Sequence, residues 1–297
     1  RTQDIYNADV LNDILAHTVI TRTFEEITGK DIKHIHQVPV RFSEPEKEVY
    51  QKAISEFHAM RGNYFASTGN SRKDSMMRLI QQITLLLRIS AAPNTVKEYT
   101  GGMPVKIAKV MEMLQEMPDQ IIAIGVRHKK VVDAYSAAIR KLMPERPLFV
   151  VTGDTTTLAQ RRKLRKTLKA SGNGILLCTQ QSLPSSVNFE FVNKVIIPEL
   201  HYNNSRMSQF YMRFVRYTSR EDKDIYFVTY LGSIESNQMQ MVLAKEKINL
   251  FMRGQEQDLD DIYKTFGVDY NLLETLMRRE ENSEGVFEIR WGKQDIS

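Results

Sequence analysis

The chain has 297 residues, with 41 Lys plus Arg against 36 Asp plus Glu, a formal net charge of +5 and 42% hydrophobic residues. That length carries one large or two ordinary domains with a real core, and the small basic excess permits an anionic partner without demanding one. A single cysteine, Cys178, excludes an intramolecular disulfide framework. No apolar run approaches the roughly 20 residues of a membrane span, and no signal peptide opens the chain, so the expected location is intracellular: cytoplasmic (nucleoid-associated) or nuclear. The first residue is Arg rather than Met, as expected of a piece of a longer protein.

In chain order, residues 1–98 read as a mainly helical segment. Asp9 to Ile20 is a short amphipathic stretch, and the alternation of Val38, Val40 and Phe42 predicts one strand, QVPVRF. Ser43 and Glu46 form a capping-box pattern with Pro45 in the first turn. They open a helix whose Val49, Tyr50, Ala53, Ile54 and Phe57 share a face. Gly62 to Asn70 reads as a polar turn. A longer helix follows over Ser71 to Ser90, its Met-rich side suited to core packing, and Ala92-Pro93 ends it.

From Thr100 the pattern changes. Pro104 to Met117 is helical, and the apolar runs at 120–126, 148–153, 174–179, 194–199 and 225–231 are of strand type. Helices over His128 to Met143, over Leu158 to Ala170 and around Gln209 lie between them. Strands alternating with helices predict a parallel sheet covered on both faces, an α/β unit over 99–235. Residues 236–297 read as a helical brace and tail with one short strand, VFEIRW. In such sheets ligands bind beyond the carboxyl ends of the strands, so the loops after Val126, Gly153, Thr179 and Glu199 are where chemistry belongs.

Those loops carry cations. Arg127-His128-Lys129-Lys130 stands at a helix start, where backbone N–H groups and the helix dipole attract anions. After Gly153 come Thr155 and then a helix with Arg161, Arg162, Lys163, Arg165, Lys166 and Lys169, six cations in nine residues. That density fits either a plainly exposed basic face or contact with a phosphate backbone. Downstream, SQFYMRFVRYTSR (208–220) spaces Gln209, Arg213 and Arg216 at +4 and +7, predicting one polar stripe on a largely buried helix. Buried guanidiniums need anions. The only acidic residues between Asn188 and Arg220 are Glu190 and Glu199, so the partner is one of those, another carboxylate of the fold, or a phosphate-bearing ligand.

Other motifs are missing. There is no G-x-x-x-x-G-K-S/T phosphate loop, no G-x-G-x-x-G after a strand and no nucleophile elbow. The absent glycine-rich loop disfavours an unrelated nucleotide-binding enzyme such as a methyltransferase. His34 and His36 have no Cys or carboxylate cluster at metal spacing and read as structural, and Cys178 has no motif-level His partner.

The run from Leu176 to Arg216 resembles the C-terminal helicase lobe of the Swi/Snf-type ATPases, a branch of the superfamily-two helicases. Thr179, Ser186, Val187, Asn188 and Phe189 are similar to that family's fifth motif, after one extra residue. Val195-Ile196-Ile197, Glu199 and His201-Tyr202-Asn203-Asn204 look like its apolar strand, acidic residue and Asp-Trp-Asn-Pro turn. Gln209, Arg213 and Arg216 match the spacing of its sixth motif, Gln-x-x-x-Arg-x-x-Arg. More loosely, the likeness extends from about residue 15, in a segment joining two lobes, to a brace helix over Ser233 to Phe251.

The resemblance implies a RecA-like parallel sheet and half of an ATP site. Arg216 would be the arginine finger on the γ-phosphate and Arg213 a second phosphate or lobe-closure contact, with Gln209 orienting and Asn188 beside the nucleotide. Thr179, Arg127, Lys129, Thr155, Arg161, Arg162 and Lys166 would hold a strand of duplex DNA, RNA being open as an alternative. ATP and Mg would be bound mainly by an N-terminal RecA-like lobe that this chain lacks, so the chain alone should not hydrolyse ATP. Two departures stand out. Ser182, Leu183, Pro184 and Ser185 replace the fifth motif's glycines, and Tyr217-Thr218-Ser219 replaces the Ile-Gly-Gln after the sixth. These admit a second expectation, a helicase-like module kept only for DNA binding or protein contact.

Overall fold

Six apolar runs form strands: β1 (Lys33–Val40), β2 (Ile122–Val126), β3 (Leu148–Val151), β4 (Ile175–Thr179), β5 (Lys194–Ile197) and β6 (Lys223–Tyr230). In the computed structural model they make one sheet, ordered β1-β6-β5-β2-β4-β3, in which every pairing is parallel. Among the described residues these helices accompany it: α1 (Glu44–Ala66), α2 (Gly69–Ala91), α3 (Val105–Glu116), α4 (Lys129–Leu142), α5 (Leu158–Ser171) and α6 (Asn204–Tyr211). The structure describes residues 29–30, 32–66, 68–153, 157–183, 188–201, 204–216, 218–236, 238–239, 279–281 and 287–289, with backbone alone at 61–65, 72–73, 76, 158, 161, 204–205 and in the last two stretches.

Strand residues alternate between two cores, which is why the inner strands read as unbroken apolar runs. Ala123, Leu176, Cys178, Val195, Ile197, Ile225 and Phe227 face one cluster, packed under α5 and α6. Ile122, Ile124, Ile175, Leu177, Ile196, Val228 and Tyr230 face the other, covered by α3 and α4. The result is the RecA-like α/β class. A third cluster lies in the α1–α2 hairpin, where Phe57, Leu79 and Leu86 are fully buried and Ile234 joins them.

The hairpin is longer than its sequence suggests. Helix α1 continues to Ala66 through the stretch expected to be a polar turn, and the chain reverses at Gly69, whose φ of +60° only glycine adopts without strain. The strand expected at QVPVRF begins earlier, at Lys33, and pairs with β6 as the edge of the main sheet, so the sheet draws a strand from ahead of residue 99. In the tail, Phe287–Ile289 within VFEIRW pairs antiparallel with a strand the sequence did not suggest, Arg279–Glu281. Asp9 to Ile20, most of the expected brace helix and the two tail helices lie outside the described residues.

Glu46 ties the helical segment to the sheet. Its carboxylate accepts from Ser43 N–H at 2.6 Å, the half of the capping box that forms, and from Ser43 Oγ at 2.8 Å. It also accepts from Val105 N–H at 2.7 Å and Tyr230 Oη at 2.6 Å. Next to it, Lys106 Nζ and Glu235 Oε2 form a fully buried ion pair at 2.5 Å, with a further bond from Nζ to Pro198 O at 3.1 Å. Burial lowers the Lys106 pKa and raises that of Glu235, and their contact opposes both shifts. Neither this pair nor the second role of Glu46 is foreshadowed by a motif.

Candidate functional site

The carboxyl ends of β2, β4 and β5 lie side by side, and a buried carboxylate organises them. Glu199, two residues past β5 and 1% exposed, accepts from Arg127 N–H at 2.6 Å and His128 N–H at 3.2 Å, and pairs with His128 Nδ1. This narrows one expectation: two of the backbone donors that lead into α4, Arg127 and His128 N–H, are filled by Glu199. Arg127 is half-buried, and Lys129 is exposed in the first turn of α4. Gln180 Nε2 donates to Glu199 O at 2.7 Å and to Gly125 O at 3.2 Å. His201, 5% exposed, has its imidazole pushed down to about 4 by burial, with Arg127 and Arg206 nearby. Gln180 carried no signal in the sequence beyond being a polar residue just past a strand end, and His201 only its place in the stretch that resembles the Asp-Trp-Asn-Pro turn.

Helix α6 crosses the sheet over β2 because β2 contains a glycine. A Cβ on Gly125 would lie 2.2 Å from Phe210 Cε1 and 2.4 Å from Cζ, so the buried ring rests directly on the strand backbone. The helix then ends at Tyr211, earlier than the 208–220 pattern suggests. Arg213 N–H bonds Phe210 O at 3.2 Å and Phe214 N–H bonds Tyr211 O at 3.0 Å, three-residue turns that replace the helical ladder. Phe210, Phe214 and Val215 are buried in the same core, and following the core bends the chain away from the helix axis. Gln209 is exposed on α6, Arg213 lies in the turn, and Arg216 is in the irregular chain after it.

Arg213 answers the question its burial raises. Its Nε and Nη1 are shielded from solvent with no hydrogen-bond partner among the described residues. Burial, with Arg216 beside it, lowers its pKa. Glu190 and Glu199, the acidic residues between Asn188 and Arg220, do not serve it. Glu199 holds the α4 start, and Glu190 accepts from Thr218 Oγ1, its pKa lowered chiefly by that bond. Two unfilled donors on Arg213 with a second cation beside them suit an anion. Among the described residues there is no group of three or more His, Cys, Asp or Glu that could hold a metal ion.

The remaining expected residues divide. Thr179 closes β4 with its Oγ1 bonded to Ser182 Oγ, and Ser182 N–H returns to Thr179 O at 2.9 Å. Asn188 Oδ1 accepts from Glu190 N–H at 2.9 Å and its carbonyl from Arg165 Nε, so its polar groups serve a local turn and the basic helix. On α5, Arg165 and Lys169 lie over the Phe191 ring at 5.5 and 5.9 Å, whereas Arg162, Lys163 and Lys166 are exposed. Arg161 is on α5 by its backbone. Thr155, Ser186, Val187, Tyr202 and Asn203 lie outside the described residues. Cys178 is fully buried, which pushes its thiol pKa up and fits no nucleophile. His36 bonds Asp224 at 2.6 Å and stacks on Tyr226, and His34 lies 3.8 Å from Asp222.

A parallel sheet of this order, with an arginine pair after β5 and cationic loops at its carboxyl edge, has the architecture of a C-terminal RecA-like lobe. In particular, the chain is similar to the C-terminal part of the Fun30 ATPase domain, with a TM-score of 0.55 and 14% identity over 78% of this chain and 98% of that one. It is similar too to the C-terminal domain of the Sulfolobus solfataricus SWI2/SNF2 ATPase, at 0.56 and 16% over 78% and 97%. Against the SWI2/SNF2 ATPase core of that organism in complex with double-stranded DNA the TM-score is 0.59 and the identity 17%, covering 86% of this chain and 55% of that one. The chain thus spans about half of that core. No family model and no curated protein matches the chain. At these identities the likeness is one of fold. Among the described residues no helix is long and apolar enough to cross a membrane.

Proposed function

We propose that the chain is the C-terminal lobe of a Swi2/Snf2-type, DNA-dependent ATPase that moves along duplex DNA inside the cell. The observation that carries this reading is the buried Nε and Nη1 of Arg213, next to Arg216 and without a hydrogen-bond partner among the described residues. The fold likeness to Swi2/Snf2 C-terminal domains supports it. Arg216 acts as the finger and Arg213 as the second phosphate or closure contact, since a planar guanidinium stabilises charge spreading over γ-phosphate oxygens. ATP, with Mg, supplies the phosphoryl group when bound, held mainly by an N-terminal lobe across a cleft. Residues 1–98 join the lobes apart from β1, which with 99–235 forms this one, and 236–297 brace it. Arg127, Lys129 and the exposed cations of α5 follow a DNA backbone without reading its sequence.

A second reading, a DNA-binding or protein-contact module without ATPase activity, draws support from the internal commitments of Thr179 and Asn188. The coding sequence ahead of Arg1 separates the two. A phosphate loop followed by an acidic Mg-binding motif is expected there; a start codon immediately before Arg1 would refute the ATPase reading.

A further inference from the structure

The ladder between β2 and β5 stops early. Their register runs from Ile122↔Lys194 to Ile124↔Ile196, yet β2 continues to Val126 and pairs with β4 through Thr179. Beyond Ile196 the β2 and β5 ends are joined by side chains. Gln180 Nε2 bridges Gly125 O and Glu199 O, and the Glu199 carboxylate reaches across to Arg127 N–H, His128 N–H and His128 Nδ1. Both side chains are buried, at 3% and 1% exposure. An unladdered gap between neighbouring strand ends is where open α/β sheets take ligands. Here the gap is clasped instead, and the clasp fixes the backbone that carries Arg127 and Lys129.

We propose that Glu199 and Gln180 are positioning residues for nucleic-acid contact: they hold the Arg127–Lys129 loop in the geometry that meets phosphate. This rests on the DNA reading above. Glu199 does not touch the nucleic acid, since both its oxygens are spent inside the protein. Nor does its negative charge assist binding, so its contribution is the shape of the loop. A glutamine in its place keeps one oxygen for the two backbone donors and presents an amide N–H to His128 Nδ1, the imidazole changing tautomer.

The test is equilibrium binding of a short fluorescein-labelled duplex to the full chain at low salt, by anisotropy, with the wild type, Glu199→Ala, Glu199→Gln, Arg127→Ala and the Glu199→Ala/Arg127→Ala double variant. Glu199→Ala is expected to weaken binding about tenfold and to lower the salt slope by about one, as when one phosphate contact is lost. The double variant should bind no worse than the weaker single, because a misplaced Arg127 has nothing left to lose. Glu199→Gln should stay within about threefold of wild type. Additive losses in the double variant, or Glu199→Gln as weak as Glu199→Ala, overturn the positioning role while leaving the DNA reading intact. If Glu199→Ala fails to fold, Gln180→Met replaces it, with a loss of about threefold that must likewise vanish in the Arg127→Ala background. No binding by the wild type overturns the DNA reading and this role with it. Amide exchange at Arg127 and His128 then reports the clasp by itself: it should quicken in the variants while the β2 core amides stay protected.

Discussion

Replacing Gly125 by alanine should damage the arginine site from the far side of α6. The added methyl would sit 2.2 Å from Phe210 Cε1 and 2.4 Å from Cζ, over an ångström inside ordinary van der Waals contact. Phe210 is fully buried between β2 and Phe214, whose ring centroid is 5.4 Å away, so the ring has no empty space to enter. Either the ring leaves its rotamer or α6 lifts off the sheet, and overpacking of this kind costs about 1–3 kcal/mol. For a domain of this size that corresponds to a fall in melting temperature of roughly 2–10 °C. Because Phe210 O accepts the Arg213 N–H, lifting α6 also moves the Arg213 guanidinium. Thermal unfolding of Gly125→Ala against Gly102→Ala is the assay, since a Cβ at Gly102 meets nothing within 4 Å and should be nearly neutral. Equal melting temperatures for the two variants would refute the packing argument.

Other outcomes follow from the same geometry. Lys106→Met strands the Glu235 carboxylate in the core and should cost about 3–5 kcal/mol in urea unfolding, with Lys106→Met/Glu235→Leu recovering part of the loss. His201 stays neutral in the fold down to about pH 4, whereas an unfolded histidine protonates below 6.5. Its contribution is therefore whole above pH 6.5 and lost as pH falls toward 4, about 1–3 kcal/mol, and His201→Gln should flatten that acid slope. Neutralising Arg161, Arg162 and Lys166 together should weaken DNA binding about equally across sequences and reduce the salt slope by up to about three. An unchanged slope returns α5 to a merely solvated face.

The strands were legible because both sheet faces are buried, which writes each inner strand as an apolar run such as ILLCT or KVII. The capping box at Ser43 and the stop at Ala92-Pro93 were legible because local chemistry decides them. What escaped was set by tertiary contact. The helix carrying Gln209 ends at Tyr211 because Phe214 and Val215 follow the core, and residue spacing alone says nothing of that. At the α4 start the cations were visible, but not that a carboxylate 71 residues on would occupy its backbone donors. The arginine pair was visible as a pattern, whereas the other engagements of Glu190 and Glu199 needed their positions in the fold.

The central claim is that this lobe lends arginines to a nucleotide it does not hold by itself. ATP turnover by the complete polypeptide, phosphate-binding lobe included, tests it most directly when measured with saturating duplex DNA for wild type and Arg216→Ala, alongside DNA affinity for both. Loss of a transition-state arginine should lower turnover about a thousandfold or more while the DNA dissociation constant stays within about twofold. Turnover retained in Arg216→Ala would contradict the account.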